Sequence, residues 1–204
     1  MDNYLVVNGV RIEPTAEQVK QLISDSANKS NKVKLSDIEV GGICKIGEWE
    51  FIVCEHMDSA TAILLKDCIS SEKFGYSNNY ANSNADAVCE RFADKLASVA
   101  GKDNLYIHVV DLTADDGLRD YGVIERRVSL MTANQCRQYV DILDMHKIDK
   151  WWWTATAYST PKHNDNTFVK SVSPSGLLSD DFDCLYDCGV RPFCILNTDI
   201  FVSK

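Results

Sequence analysis

The amino-acid sequence predicts an α+β domain in which two helices flank antiparallel sheets. Short apolar runs separated by turns that contain Gly or Asn predict the strands, and two segments with helical spacing or helix caps predict the helices. Three consecutive tryptophans, Trp151–Trp153, predict a strand that is covered on both faces, because successive side chains of a strand point to opposite sides. With 204 residues, the chain is long enough to bury a core without disulfides or metals.

A small ββα element is predicted at the N-terminus. Residues 4–7 and 10–12 flank Asn8-Gly9, a pair that adopts the positive φ angles of a two-residue hairpin turn. Thr15 and Gln18 have the spacing of a capping box, which predicts a short helix that ends near residue 23.

The stretch after this element is rich in Ser, Asn and Lys and lacks periodicity, which is typical of a linker. We therefore divide the chain into an N-terminal hairpin and helix (1–25), a linker (26–35) and a main domain (36–204). Because an exposed strand edge readily pairs with another strand, the N-terminal hairpin is also a candidate site of homo-oligomer formation.

The main domain begins with a predicted antiparallel meander. Residues 41–46 and 49–54 flank Gly47-Glu48 as a second hairpin, and residues 60–65 form the third strand. Residues 70–82 are polar and predict a loop. The later predicted elements are the tryptophan strand, a strand at 168–172, a β-turn at Ser173–Gly176 and a last strand at 190–196.

Two segments of the main domain predict its helices. Residues 85–100 carry apolar side chains at helical spacing and end before Gly101, a residue type that favours helix ends. The second helix begins at Thr132, whose capping-box partner is Gln135, and extends to about Leu143. In the helix predicted at 85–100, the apolar positions are Val88, Phe92, Leu96 and Val99.

The composition weighs against several classes of function. The formal net charge is −9, whereas nonspecific nucleic-acid binding requires a basic surface, so we expect no direct contact with nucleic acid. No stretch approaches the roughly 20 apolar residues of a membrane span, and the first residues lack the basic and apolar regions of a signal peptide. We therefore expect neither membrane insertion nor secretion through a signal peptide.

Metal and cofactor sites are not predicted. The eight cysteines contain no C-x-x-C pair, and we expect them to be reduced and mostly buried. The acidic loop from Asp111 to Asp120 does not fit a calcium-binding EF-hand, because Asp116 stands where glycine is needed. We expect a turn at Asp116-Gly117 instead, with Asp111 or Thr113 capping nearby backbone amides.

Five motifs occur along the chain in a distinctive order: Leu64–Asp67, Asp111–Gly122, Trp151–Thr154, Val172–Gly176 and Gly189–Pro192. Across residues 36–200 this order resembles an uncharacterised domain family of phage, prophage and gut Firmicutes proteins. The ending, a tryptophan-rich strand followed by Gly-Val-Arg-Pro, is also similar to the end of C-type-lectin-like and formylglycine-generating-enzyme domains. The resemblance implies a C-type-lectin-like α+β domain with a surface that many relatives use for binding.

The candidate binding site is the loop after the tryptophan strand, which offers aromatic and amide groups carried on a sheet. An ordinary solvated loop is the alternative. Arg191 lies in an apolar strand pattern, where a charged side chain must be paired or stacked. It is held either by an indole and a carboxylate such as Asp183 or Asp187, or by a ligand. The candidate ligand-binding residues are Trp152, Tyr158, His163, Asn164, Asn166 and Arg191.

Catalytic motifs are absent from the sequence, which contains no nucleophile elbow, zinc-protease helix or phosphate-binding glycine loop. Formylglycine-generating enzymes use a cysteine pair near the end of the domain. Cys184 and Cys188 lie in that region, but their spacing differs from the family motif. His108 alternates with Tyr106 and Val110 in an extended run, which is typical of a packed histidine. We expect no catalytic residues.

These observations predict a noncatalytic, phage- or prophage-encoded binding module that recognises a protein or a small ligand, with a protein as the expected partner. One alternative is an intracellular phage inhibitor of a host defence complex. A second alternative is an oxidoreductase like the formylglycine-generating enzymes. The binding hypotheses place the protein in the host cytoplasm or in the virion.

Overall fold

A computed structural model describes residues 5–7, 10–12, 15–20 and 32–204. These residues form an α+β fold with mostly antiparallel sheets and few helices. The strands are β1 (Leu5–Val7), β2 (Val10–Ile12), β3 (Lys32–Lys34), β4 (Ile43–Ile46), β5 (Trp49–His56), β6 (Ala60–Leu65), β7 (Ser70–Lys73), β8 (Leu105–Tyr106), β9 (His108–Asp111), β10 (Val123–Arg126), β11 (Val128–Ser129), β12 (Trp152–Ala157), β13 (Phe168–Val172), β14 (Leu178–Asp183), β15 (Asp187–Val190), β16 (Phe193–Asn197) and β17 (Phe201–Ser203). The helices are α1 (16–20), α2 (Asn84–Ala100), α3 (Ala133–Gln138) and α4 (Val140–Met145).

Two sheets form the body of the main domain. The larger has the strand order β11-β16-β6-β5-β4-β17-β3, with β8 also paired to β16, and the smaller has the order β14-β13-β12-β15-β7. Neighbouring strands in both sheets are antiparallel except for β12 and β15, which are parallel. The pairs β1–β2 and β9–β10 form separate two-stranded ribbons.

The predicted N-terminal element is confirmed within the described residues. Strands β1 and β2 pair with Val7 opposite Val10. The backbone amide of Thr15 donates to Gln18 Oε1 (2.8 Å), and the amide of Gln18 donates to Thr15 Oγ1 (3.2 Å), which are the two bonds of a capping box. The turn at Asn8-Gly9 and the end of the helix lie outside the described residues.

The predicted linker (26–35) extends too far toward the C-terminus. Residues 32–34 form β3, whose Val33 lies opposite Val202 of β17. Leu35 follows at 0% exposure and belongs to the main core. A polar sequence concealed this strand because its two lysines alternate around a single apolar residue at the edge of the sheet.

The predicted meander is present as β4, β5 and β6. Helix α2 also agrees with its prediction: it begins after Ser83, whose Oγ accepts a bond from the amide of Asp86 (3.0 Å), and it ends at Gly101 with φ 90°. Val99 is the exception among the predicted apolar positions, since 51% of its surface is exposed. The β-turn at Ser173–Gly176 is confirmed by the bond from the amide of Gly176 to the carbonyl of Ser173 (2.9 Å).

The second predicted helix is divided in two. The capping box of Thr132 and Gln135 begins α3 as predicted. Tyr139 then leaves the helical region at φ −104° and ψ 26°, and α4 continues from Val140 to Met145. The break turns the buried Tyr139 ring toward Phe193, with the ring centres 6.4 Å apart.

The prediction of one last strand at 190–196 is wrong. Strand β15 ends at Val190 in the smaller sheet, and β16 begins at Phe193 in the larger sheet, so Arg191-Pro192 carries the chain from one sheet to the other. Pro192 has no N–H to donate and disfavours continuation of a strand, which explains the break. Its carbonyl accepts a bond from the amide of Leu65 (2.8 Å).

The larger sheet separates two apolar cores. The face that carries Phe51, Val53 and Ile63 packs against α2, and the opposite face packs against α3 and α4. Trp153 lies in the first core and Trp152 in the second, at 0% and 1% exposure. The alternation of the tryptophan strand therefore covers both of its faces, as predicted. Trp153 Nε1 donates to the carbonyl of Glu72 (2.9 Å), which satisfies the buried indole N–H.

Gly189 allows the parallel pairing beside the tryptophan strand. Its amide donates to the carbonyl of Trp151 (2.8 Å), and it lies opposite Trp152. A Cβ atom at this position would collide with Cys68 Sγ and would lie 3.1 Å from the Trp151 carbonyl oxygen. Glycine is therefore required here for close backbone approach.

His108 is a packed histidine on β9, as the alternation predicts. Its Nε2 lies 2.9 Å from Ser129 Oγ, which itself donates to the carbonyl of Leu130, so Nε2 carries the proton and donates to Ser129. Its Nδ1 is buried without a partner among the described residues, and the ring packs edge-on against Phe193. Burial lowers the pKa of His108 from 6.5 to about 4, because the charged imidazolium is poorly solvated there.

This lowered pKa makes the stability of the fold sensitive to acid. The contribution of neutral His108 to the free energy of unfolding is fully present above pH 6.5, the ordinary pKa of histidine. It is lost as the pH falls through about 4, because protonation favours the unfolded chain. We expect His108→Gln, which keeps a donor for Ser129, to reduce the loss of unfolding free energy between pH 7 and pH 4 by up to about 3 kcal/mol. Urea unfolding of both proteins across this range measures the difference, and parallel pH profiles would contradict the assignment.

Candidate interaction surface

The structure separates the six predicted ligand-binding residues into two groups. Trp152 and Arg191 are each 1% exposed and lie in the interior. The other four residues are exposed and lie in or beside the loop that follows β12; they are Tyr158, His163, Asn164 and Asn166. A ligand on this loop meets the second group, and Trp152 and Arg191 have structural roles instead.

Arg191 joins three parts of the chain in the interior. Its guanidinium lies 5.3 Å from the centre of the Trp152 ring, which confirms the predicted stacking on an indole. The expected carboxylate partner is wrong: Nε donates to the carbonyl of Leu65 (2.9 Å), and Nη2 donates to the carbonyls of Lys66 (2.9 Å) and His146 (3.2 Å). Arg191 lies at the crossing between sheets rather than within a strand, so backbone carbonyls rather than Asp183 or Asp187 meet it.

The loop from Tyr158 to Thr167 is folded tightly on itself. A 3₁₀ turn at Pro161–His163 is closed by Asn164 in the left-handed region (φ 58°). The carboxylate of Asp165 then accepts bonds from the amides of Thr167 (2.9 Å) and Phe168 (3.2 Å). These bonds order a segment that sequence pattern alone describes as solvated.

Asn78 ties this loop to two others. It is fully buried, and its Nδ2 donates to the carbonyls of Ser159 and Phe168, at 3.0 Å each. Its Oδ1 accepts a bond from the Tyr121 hydroxyl (2.6 Å). The backbone N–H of Asn78 donates to the carbonyl of Asn166 (2.7 Å). One side chain therefore holds segments that are more than 40 residues apart in the chain.

The acidic loop supports the other side of the same segment. Asp116 Oδ2 accepts from Ser159 Oγ (2.6 Å) and lies 2.9 Å from His163 Nδ1, while Asp120 accepts from Thr160 Oγ1 (2.9 Å). The bond from Ser159 holds the pKa of Asp116 below its ordinary value. The carboxylates of this loop thus act as acceptors for the neighbouring loop.

Local caps within the acidic loop agree with the prediction. Asp111 Oδ1 accepts from the amide (2.9 Å) and the hydroxyl (2.6 Å) of Thr113, and Asp116 Oδ1 accepts from the amide of Leu118 (3.1 Å). Gly117 adopts φ 89° in the turn between Asp116 and Leu118. No group of three or more potential metal ligands occurs among the described residues.

Asp115 joins the acidic loop to the main domain through two cations. Its carboxylate lies 2.6 Å from Arg137 Nη2 and 3.3 Å from Nζ of Lys170, a lysine that is 8% exposed. Burial by itself would raise the pKa of Asp115, but the bonds from Arg137 and Lys170 outweigh it and the pKa is lowered. These ion pairs fix the position of the loop against α3 and β13.

Three neighbouring segments expose large apolar side chains. The amide of Cys184 donates to the carbonyl of Thr167 (2.7 Å), and the amide of Gly75 donates to the carbonyl of Cys184 (3.3 Å). We call residues 75–79, 158–168 and 184–186 the loop surface. Its exposed apolar side chains are Tyr76 (96%), Tyr186 (60%), Leu185 (53%), Tyr158 (40%) and Phe168 (39%). The sequence analysis missed Tyr76, Leu185 and Tyr186, because the bonds that bring these segments together join distant parts of the chain.

The eight cysteines are all free thiols. All but the half-buried Cys68 are buried, in agreement with the expectation. Burial raises the pKa of Cys184 to about 11 and that of Cys188 to about 12, so both are neutral thiols at pH 7.

In comparisons with known proteins, the chain matches no family model, no curated protein and no solved structure. The resemblance to the phage and prophage family therefore stays a prediction. Within the described part of the chain, no helix has the length and apolar character needed to cross a membrane.

Arg191 should contribute strongly to stability. We expect Arg191→Leu to lower the unfolding free energy by about 3 kcal/mol or more, because one buried and two partly buried carbonyls lose this charged donor. Arg191→Lys retains the charge without the planar guanidinium and should lie between that variant and the wild type. Urea unfolding measures both variants, and a loss below about 1 kcal/mol for Arg191→Leu would show that the carbonyls find other donors.

Asn78 should control the order of the loop surface. We expect Asn78→Ala to cost about 2–3 kcal/mol and to accelerate amide hydrogen exchange in residues 158–168, because the carbonyl of Ser159 and the hydroxyl of Tyr121 lose their partner. The carbonyl of Phe168 keeps one donor, the backbone amide of Tyr158 (2.9 Å). Asn84→Ala, at the exposed first residue of α2, is the matched control. Equal exchange rates in the two variants would contradict the anchoring role.

Proposed function

We propose that the chain is a noncatalytic binding module that recognises a partner protein through the loop surface. The observation that carries the proposal is the exposure of Tyr76, Tyr186 and Leu185 on segments that backbone bonds hold side by side. Tyrosine is enriched at the centres of protein interfaces, because its ring supplies a large contact area at little cost in rotamer entropy.

The rigidity of the loops also supports binding. Asn78 and Asp116 hold the loop from Tyr158 to Thr167 before any partner arrives. A surface that is ordered in advance loses less conformational entropy on association, and more of the contact energy appears as affinity.

A C-type-lectin-like arrangement and an origin in a phage or prophage are part of this proposal. They rest on the motif order in the sequence and are compatible with the α+β fold. The inhibition of a host defence complex is one version of the same binding function, in the host cytoplasm, and recognition by the virion is the other. Separation of infected cells into particles and soluble lysate distinguishes the two versions by where the protein is found.

The loop surface is tested by removing its exposed rings. We expect the double variant Tyr76→Ser/Tyr186→Ser to retain at least tenfold less partner than the wild type. It should fold with a loss of stability of at most about 1.5 kcal/mol, because Tyr76 is 96% exposed and Tyr186 loses one edge-on ring contact, to Phe182. Affinity purification of the tagged full chain from a lysate of the native host, with quantitative mass spectrometry, measures the retention.

The matched control is Ile107→Ser/Val123→Ser, which removes two equally exposed apolar side chains, at 66% and 63%, away from the loop surface. This variant should retain the partner at the wild-type level. A partner that both variants lose equally, or that neither loses, would show that binding does not involve the loop surface.

A further inference from the structure

A cleft of about 580 Å³ lies between α2 and the edge of the smaller sheet, away from the loop surface. Residues of α2 line one wall, and we call it the helix wall; residues 65–70 and Glu72 line the opposite wall, the strand wall. The β4–β5 hairpin also lines the cleft, through Lys45, Glu48 and Glu50. Trp49 closes the cleft at one end, where its ring packs edge-on against Phe92 with the ring centres 5.0 Å apart. Its volume falls in the range of ligand-binding clefts.

The edge of the smaller sheet beside this cleft is strand β7. Within the described residues β7 pairs with β15 alone, with Ser70 opposite Val190 and Glu72 opposite Cys188. The amide of Gly189 points to β12, where it donates to the carbonyl of Trp151 (2.8 Å). Because backbone groups alternate in direction along a strand, the backbone groups of Cys188 and Val190 point to β7, and the Val190 carbonyl accepts a bond from the amide of Ile69 (2.9 Å).

The same alternation directs the backbone groups of Ser71 and Lys73 away from the sheet. Their N–H and C=O groups therefore form an open edge that matches the spacing of another strand. The side chains follow the complementary pattern: Ser70 and Glu72 are half-buried and line the cleft, while Ser71 and Lys73 are exposed. A strand added at this edge would place every second side chain in the cleft, facing α2.

We propose that the edge of β7 accepts an extended segment of a partner protein, with an acidic side chain of that segment in the cleft. The cleft is lined by basic and acidic side chains, and its carboxylates without an ion pair within the described residues are Glu48, Asp67 and Glu72. The two basic side chains of α2 select this occupant on the helix wall. Arg91 and Lys95 are exposed and one helical turn apart, and neither forms an ion pair within the described residues. Lys66, in contrast, is already paired with Glu50 at 2.7 Å.

The strand wall determines the register of the added segment. Glu72 would repel a carboxylate directly opposite, because like charges at paired positions destabilise a sheet. The acidic side chain therefore lies opposite Ser70, whose Oγ is buried without a partner among the described residues. Ile69, Val88 and Phe92 provide the apolar contacts around it. Backbone bonds supply affinity in this binding mode, and alternate side chains supply selectivity.

The test uses two peptides and the full chain. One nonapeptide has the sequence Ser-Thr-Thr-Thr-Glu-Thr-Thr-Thr-Ser with blocked ends, and the other has Lys in place of Glu. The net charge of −9 favours the Lys peptide in nonspecific binding, so a preference for the Glu peptide reports the cleft. We expect the Glu peptide to bind at least fivefold more tightly, as measured by NMR titration of the amides of β7 and α2.

Substitutions at Ser71 and Arg91 separate the effect of backbone pairing on binding from the effect of charge. Ser71→Pro removes an outward N–H at an edge position that tolerates proline and should weaken binding at least tenfold, whereas Ser71→Ala keeps the N–H and should stay within twofold. Arg91→Gln should abolish the preference for the Glu peptide while leaving the fold intact. If Ser71→Pro fails to fold, two measurements still test the proposal. They are the binding of both peptides to Arg91→Gln and the hydrogen exchange of the Ser71 and Lys73 amides in the wild type, with and without the Glu peptide.

Several results would overturn the proposal. Equal binding to Ser71→Pro and Ser71→Ala would exclude strand addition, and equal or tighter binding of the Lys peptide would exclude the acidic occupant. Slow exchange of the Ser71 and Lys73 amides in the free protein would show that the chain's own residues cover the edge. Protection that increases with protein concentration would assign the edge to a second copy of the chain.

Discussion

The fold depends on one buried guanidinium at the point where the chain crosses between its two sheets. Arg191 stacks on Trp152 and donates to carbonyls of the segment after β6 and of the segment after α4. Hydrogen bonds from a charged donor are stronger than neutral ones, and here they offset the cost of removing the cation from water. Because the crossing is fixed, β15 aligns in parallel with the tryptophan strand while β16 enters the larger sheet.

A second polar junction orders the exposed part of the molecule in a similar way. Asn78 and Asp116 satisfy backbone and hydroxyl groups of the loop after β12, and Asn78 is fully buried. The most conspicuous aromatic residues of the sequence are therefore internal, and the tyrosines available for contact lie on loops of ordinary composition.

Local patterns in the sequence predicted much of the fold. The hairpins, both capping boxes, α2 and the turn after β13 each depend on residues close together in the chain, and each is present. Strand β7 escaped prediction because an edge strand such as Ser70–Lys73 needs no apolar alternation. The break at Arg191-Pro192 depends on two sheets that receive adjacent residues, and Asn78 acts on carbonyls 81 and 90 residues away. Such pairings leave no periodic signal, so the loop after β12 was identified while Tyr76 and Tyr186 were not.

The place of β16 in the larger sheet has a consequence for biosynthesis. This strand lies between β6 and β11, yet β6 ends at Leu65 and β16 begins only at Phe193. Until β16 emerges from the ribosome, one edge of β6 and the apolar faces on both sides of the sheet lack their partner. A nascent chain that has passed Leu65 exposes this unpaired strand while the intervening residues are made, and it is prone to associate with others like it. Closure of the sheet therefore waits for β16, and the yield of native protein should depend on chaperones that hold the open sheet until then.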